Sequence, residues 1–270
     1  MDPTADPEAA NRLTEEAVGP PKEVAPPEIP ETTVTLPGGL LLPTGEVLDR
    51  AEVREMNGED EEALARLPRD TPIPQRITEM VKRCLVSLSG RTLQPGEIDS
   101  LLIGDRDLIM VALRRATYGD DMEVTVTCPF CTTDWNKPKT FDVAIELDKD
   151  ISTKEMDDKK QRIFPVKLRR GEAEVRLVTG GDQIYAVGDG TRSAPQVNTG
   201  ILERCVRSLN GNQIIGREAV AKMGSADRLK LLEVIVDKQP GPQLGDITTP
   251  CSMCGETVPL PIAVGDLFRL

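Results

Sequence analysis

Two short cysteine pairs are the residues of this 270-residue chain whose type and spacing could do chemistry. Cys128-Pro129-Phe130-Cys131 and Cys251-Ser252-Met253-Cys254 each follow a C-x2-C pattern. Thiolates two residues apart can reach a single ion, and a soft divalent ion such as zinc takes four such ligands tetrahedrally. The chain has no histidine, so a mixed Cys/His site is excluded. The economical arrangement is one structural zinc held by Cys128, Cys131, Cys251 and Cys254. Closing a loop of about 120 residues costs roughly 4 kcal/mol. Structural zinc supplies roughly 10–16 kcal/mol in model peptides, so the ion outweighs the closure. Three other chemistries use the same spacing. Disulfides need an oxidising compartment, and the acidic start Met1 to Asp6 has no apolar core of a secretory signal. A thioredoxin-type redox pair sits at a helix start, whereas Cys128 follows strand-like sequence. A rubredoxin-like iron centre uses similar knuckles, and spacing alone does not separate it from zinc.

The elements that must position these pairs are strands. Residues 123–127 and 141–145 flank the first pair, and residues 257–262 follow the second. The surroundings of the two pairs also match. Arg83-Cys84-Leu85-Val86-Ser87-Leu88-Ser89-Gly90 precedes one, and Arg204-Cys205-Val206-Arg207-Ser208-Leu209-Asn210-Gly211 precedes the other. The register continues through Gly104 with Gly224, Asp107 with Asp227 and Cys128 with Cys251. Upstream, residues 34–36 match 166–168 and residues 42–45 match 177–180. The chain therefore reads as α+β, with two tandem repeats joined by one shared four-cysteine, zinc-ribbon-like site. Each repeat is expected to hold a β-hairpin (Val34 to Leu42, Val166 to Val178), two helices and a zinc-knuckle hairpin. The expected domains are a Pro-rich acidic arm (1–32), repeat 1 (33–150), a charged connector (151–163) and repeat 2 (164–270).

Apolar residues at Met80, Val81, Cys84, Leu85 and Leu88 predict a helix ending at Gly90, and Ile201, Leu202, Cys205, Val206 and Leu209 predict its partner ending at Gly211. Cys84 and Cys205 then fall on buried stripes, as core thiols. The second helix of each repeat is expected to open at the N-caps Asp105 and Ser225, with Asp107 and Asp227 in the first turn.

Composition narrows the function classes. Aromatics are 3% of the chain, so its cores must be aliphatic. No apolar run approaches the length of a membrane span. Residues 1–66 hold 16 acidic and 5 basic side chains, and the remainder holds 29 and 28. The acidity thus belongs to one end, where Pro3, Pro7, Pro20, Pro21, Pro26, Pro27 and Pro30 favour an extended arm that orders on a partner. The run Glu59 to Glu62 reads as a solvated helix face.

Catalytic residues: none are expected. Without histidine the usual general base is missing, and the chain has no P-loop, G-x-G-x-x-G after a strand, or G-x-S-x-G. Gly180-Gly181-Asp182 reads as a turn, and a site of four thiolates leaves no open position for a substrate. Nucleic-acid binding, as a zinc-ribbon or transcription-associated protein, is the alternative function. Trp135 with Lys137 and Lys139 could stack a base, but the near-neutral body offers only the pairs Arg114-Arg115 and Arg169-Arg170 as basic patches.

Three segments carry a resemblance: residues 102–107 (Leu-Ile-Gly-Asp-Arg-Asp), residues 112–119 (Ala-Leu-Arg-Arg-Ala-Thr-Tyr-Gly), and the alternating approach to Cys128 and Cys131. Together with residues 51–62 and the apolar end at Leu267-Phe268, they resemble the T4-like phage baseplate hub family over residues 34–270. A glycine commonly follows a knuckle's second cysteine, as Gly255 does; Thr132 stands there in the first pair. The resemblance implies a non-enzymatic structural or assembly role in the baseplate of a contractile phage tail or phage-derived injection system. It implies other baseplate, tail or hub proteins as partners, cytoplasmic assembly, and a place in the virion or injection particle.

Overall fold

The computed structural model describes residues 32–132, 138–213, 216–260 and 262–268. Trp135, Lys137 and the expected arm up to Glu31 lie outside the described residues.

In the first half, the Thr- and Val-rich strands β1 (Thr32–Leu41) and β2 (Val47–Val53) pair antiparallel. The helices α1 (Gly58–Ala65) and α2 (Ile73–Cys84) follow. A third strand, β3 (Leu85–Leu88), returns to pair with β2, giving the order β1-β2-β3. A short α3 (Pro95–Ile98) leads to the long α4 (Ile103–Tyr118) and the hairpin β4 (Asp121–Thr132) and β5 (Pro138–Glu146). The connector contains α5 (Leu147–Asp150) and the two-residue β6 (Thr153–Lys154).

The second half runs in the same order. β7 (Ile163–Leu168) and β8 (Gly171–Arg176) form a hairpin, followed by α6 (Gly180–Val187) and α7 (Ala194–Cys205). β9 (Val206–Leu209) joins β8, and β10 (Asn212–Gln213) extends the sheet to the order β10-β9-β8-β7. Then come α8 (Arg217–Ala221), the long α9 (Ser225–Lys238), β11 (Gly241–Pro242) pairing with β6, and the short hairpin β12 (Thr248–Pro250) and β13 (Thr257–Pro259).

Several local expectations are corrected. The helices end at Cys84 and Cys205, not at Gly90 and Gly211, because Leu85–Leu88 and Val206–Leu209 are captured as strands by β2 and β8. Sheet hydrogen bonds override the helical spacing there. Gly90 and Gly211 do have positive φ (75° and 76°), each in a tight turn after a strand and beside Ser89 or Asn210 at φ 50° or 51°. The cap of α4 is Leu102 and that of α9 is Gly224, so Asp105 already lies inside its helix and Ser225 is the first helical residue. Residues 34–41 form one bulged strand, with the hairpin turn at 42–46. Gly180-Gly181-Asp182 is the first turn of α6, capped by Thr179.

Two apolar clusters hold these elements. The larger surrounds α4, whose residues Leu108 to Leu113 are all buried. It takes Leu36, Met80 and Leu88 from the first half, and Ile247, Val258, Leu260 and Leu267 from the far end of the chain. The smaller cluster joins Val166, Val175, Leu202, Leu231 and Ile235. Each such side chain contributes roughly 1.5–3 kcal/mol when fully buried. The segment bearing the second cysteine pair therefore packs into the first half's core.

Each half also buries a forked ion pair at a helix start. Arg54 donates from Nη1 and Nη2 to Asp60 (2.6 and 3.1 Å), which with Asn57 forms the capping box of α1. Arg176 does the same to Asp182 (2.5 and 2.8 Å), boxed with Thr179, and Arg204 adds a bond of 2.9 Å. Asp60 is consequently buried, which corrects the expectation of a solvated acidic face at that position. Burial of Asp182 opposes its ionisation, but the Arg176 fork, the Thr179 cap and Arg204 together hold its carboxyl down at about 2. A depressed folded-state value stabilises the fold above the unfolded value of about 3.9 and is lost as acid approaches the folded one. This contribution should be complete above about pH 4 and disappear toward pH 2 in urea-unfolding series. Asp182→Asn should cost about 3 kcal/mol at pH 7 and flatten that acid limb.

Candidate metal centre

The two cysteine pairs are carried by hairpins whose pairing is local. In the first, Cys128 lies opposite Lys139 in the β4–β5 ladder, and the register shifts before Thr132 meets Pro138. The ladder here runs over β-branched residues, Val124 to Thr127 on β4, which favour the extended form. In the second, β12 and β13 pair Pro250 with Thr257, and Cys251 N–H donates to Glu256 O at 2.8 Å. Gly255, at φ 76°, closes the knuckle by donating to Cys251 O at 2.9 Å. At the place that Gly255 holds in the second knuckle, Thr132 resumes the ladder opposite Pro138.

The four sulfurs converge within 4.8 Å of one another. Cys128 Sγ lies 3.8 Å from Cys254 Sγ and Cys131 Sγ lies 3.9 Å from Cys251 Sγ, so the first cysteine of each pair faces the second of the other. A tetrahedron with zinc–sulfur bonds of about 2.3 Å has sulfur–sulfur edges of about 3.8 Å. A disulfide needs about 2.05 Å. The all-thiol donor set and its spacing therefore fit a soft tetrahedral ion. Cys128 and Cys251 are buried, Cys131 is half-buried and Cys254 is exposed, so one side of the cluster opens to solvent. Phe130 and Met253, at the third position of each pair, point outward and are 61% and 45% exposed.

The electrostatics suit an anion cluster in part. Backbone N–H groups of Cys254 and Met253 pull the Cys251 thiol down to about 6. Met253 N–H lies 3.4 Å from that sulfur. Cys131 is pushed up to about 12, first by its hydrogen bond with Cys254. Protons are thus shared among the crowded sulfurs, and a cation binding there displaces them. The chemistry such an ion supplies is a cross-link between chain segments.

Residues 41–257 match the sequence profile of the family described as T4 bacteriophage base plate protein. The chain belongs to this family. All four clustered cysteines and most of both halves fall within the matched span. Searches of curated proteins and of solved structures gave no match. As a member of the family, this baseplate chain is a structural component of a phage particle, and the family points to other baseplate proteins as its neighbours. Among its described residues no helix is long and apolar enough to cross a membrane.

Cys84 and Cys205 lie apart in role. They are 1% and 0% exposed in the two cores, and burial pushes both thiols up to about 12. The interactions that sequence reasoning missed are the two Arg–Asp forks, although their common spacing, six residues from Arg54 to Asp60 and from Arg176 to Asp182, is visible in the chain. In the folded protein Cys84 and Cys205 should resist iodoacetamide at pH 8, while the exposed Cys254 labels in metal-free protein. Peptide mass mapping of native and urea-unfolded samples checks this.

Proposed function

We propose that the chain is a non-enzymatic structural or assembly component of a contractile tail or injection-system baseplate, built from two tandem repeats, riveted by one structural zinc and binding neighbouring baseplate or tail proteins. The observation that carries the reading is the convergence of four thiols from segments more than 100 residues apart into a cluster that fits one ion. Zinc at Cys128, Cys131, Cys251 and Cys254 has no open position, so its work is to hold shape.

What supports the repeats is a set of contacts made twice. Ser87 Oγ bonds Glu52 and Ser208 Oγ bonds Glu174, beside the two Arg–Asp forks. Met56 N–H donates to Thr117 as Val178 N–H does to Gln239. Arg106 reaches Thr78 Oγ1, and Arg228 reaches Thr199 Oγ1. Asp105 accepts from Gly38 N–H as Asp227 does from Arg169 N–H. These paired contacts support a register in which Asp227 is the counterpart of Asp105 rather than Asp107, and Ala226 that of Gly104. Residues 42–45 correspond to the Arg169-Arg170 turn, not to residues 177–180. The divisions that follow are an arm to residue 32, repeats over 33–150 and 164–270, and a connector between. On this reading the acidic arm orders on a partner, and assembly takes place in the cytoplasm before the chain enters the particle.

Elemental analysis of the purified chain should give one zinc per polypeptide. Two metals, or none in a folded sample, would refute the shared site. Cys128→Ser should abolish zinc retention and lower stability by several kcal/mol, with helical circular dichroism largely kept. Tail or baseplate proteins should co-purify from particle-producing cells.

A further inference from the structure

One junction between the two halves is made only once among the described residues. The start of α4 inserts into a cradle on the second half. Ile103 N–H donates to Val178 O, and Gly180 N–H donates to Leu101 O. The approach is close: a β-carbon on Gly104 would overlap the carbonyl oxygen of Pro240, and one on Gly180 would overlap the Arg106 guanidinium. Gly241 completes the cradle against the Gly104 backbone. Insert and cradle lie on different halves and differ in structure, so the contact is head to tail.

With the register above, on which this inference rests, each half has both parts. The first half's cradle is Gly58 and Gly119, the counterparts of Gly180 and Gly241. Among the described residues, a β-carbon at either would meet nothing within 4 Å. The second half's insert is Ala226, Asp227 and Arg228. Ala226 is exposed and Arg228 half-buried, whereas Arg106 is 1% exposed. Arg106 has the charges of Asp99 and Asp107 beside it. The counterparts around Arg228 are Ala221 and Leu229, and Leu229 is 58% exposed. Glu59 and Asp121, both exposed, stand next to the open cradle.

We propose that copies of this chain associate head to tail, the start of α9 of one copy seating in the Gly58–Gly119 cradle of the next. The seat follows the internal junction in its partners but not in its close backbone approach, and it brings Arg228 to Glu59 and Asp121 in place of the carboxylates it lacks. A second copy is the occupant because its insert is the counterpart of the segment that already fills the internal cradle. The Ala226 methyl stands where Gly104 has none, so the contact between copies is shallower than the one within a chain. A heterologous contact of this kind builds rings or open filaments, not a closed twofold dimer.

Sedimentation of the full-length chain over rising concentration tests this. Wild type should form rings or extending oligomers. Ala226→Gly should shift association to concentrations roughly tenfold lower by removing the methyl overlap. Gly58→Gln should weaken association without altering the unfolding midpoint, since the position is open and its φ is not positive. Monomers in both wild type and Ala226→Gly overturn the proposal, as does a twofold dimer indifferent to Gly58→Gln. Binding to other baseplate proteins without self-association also overturns it. Gly180→Ala separates the two readings. A lowered unfolding midpoint with a monomeric wild type removes the docking between copies and leaves the internal junction standing, whereas an unchanged midpoint removes the junction on which that docking is patterned.

Discussion

Four sulfurs within 4.8 Å are the constraint on which the two ends of this structure depend. Cys128 and Cys251 come from hairpins far apart in the chain, and bringing them together costs loop entropy that the three residue pairs of the β12–β13 hairpin do not repay. The neighbouring apolar residues supply part of the return. Val258, Leu260 and Leu267 leave the second half and enter the core around α4, so the second knuckle is anchored in the first half's interior. An ion at the proposed site would act on a geometry that packing has already brought close, which is how a metal contributes shape with little rearrangement.

The forked pairs Arg54–Asp60 and Arg176–Asp182 solve a different problem. Each lies where a hairpin hands the chain to a helix, and each satisfies helix N–H groups that would otherwise end inside the protein. The carboxylate is buried in both, so the bidentate arginine is what makes its charge tolerable. Because these units are local, they are made the same way in both halves. The surroundings of the long helices are not. α4 is buried without a break from Leu108 to Leu113, partly by the far end of the chain, while α9 buries Leu231 and Ile235 and leaves Leu229 and Val236 exposed. Similar local structure therefore carries unequal burial, and that inequality gives the molecule an inner and an outer half.

Much of the candidate site was legible in the chain. The spacing Cys128/Cys131 and Cys251/Cys254, with no histidine to share the work, named the four thiols, and flanking β-branched residues placed the first pair on strands. The segments at Arg83 and Arg204, alike in sequence, each hold a helix end followed by a strand that joins a preceding hairpin. Such features are local in sequence, and short-range propensity decides them. Where two elements competed for the same residues the reading failed. Leu85–Leu88 has helical spacing, yet β2 offers it backbone hydrogen bonds, and that partner is more than 30 residues away.

Only the tertiary structure decided which cysteines face each other, with Cys128 against Cys254 and Cys131 against Cys251. It alone shows that Asp105 and Asp227 accept hydrogen bonds from the backbone N–H groups of Gly38 and Arg169, a role that their residue type does not announce. It also decided that α4 is enclosed and α9 is not. The physical reason is common to all three. Residue type and spacing govern what a segment can bind and which local element it prefers, whereas burial and partner choice are set by groups that meet only after distant segments have packed.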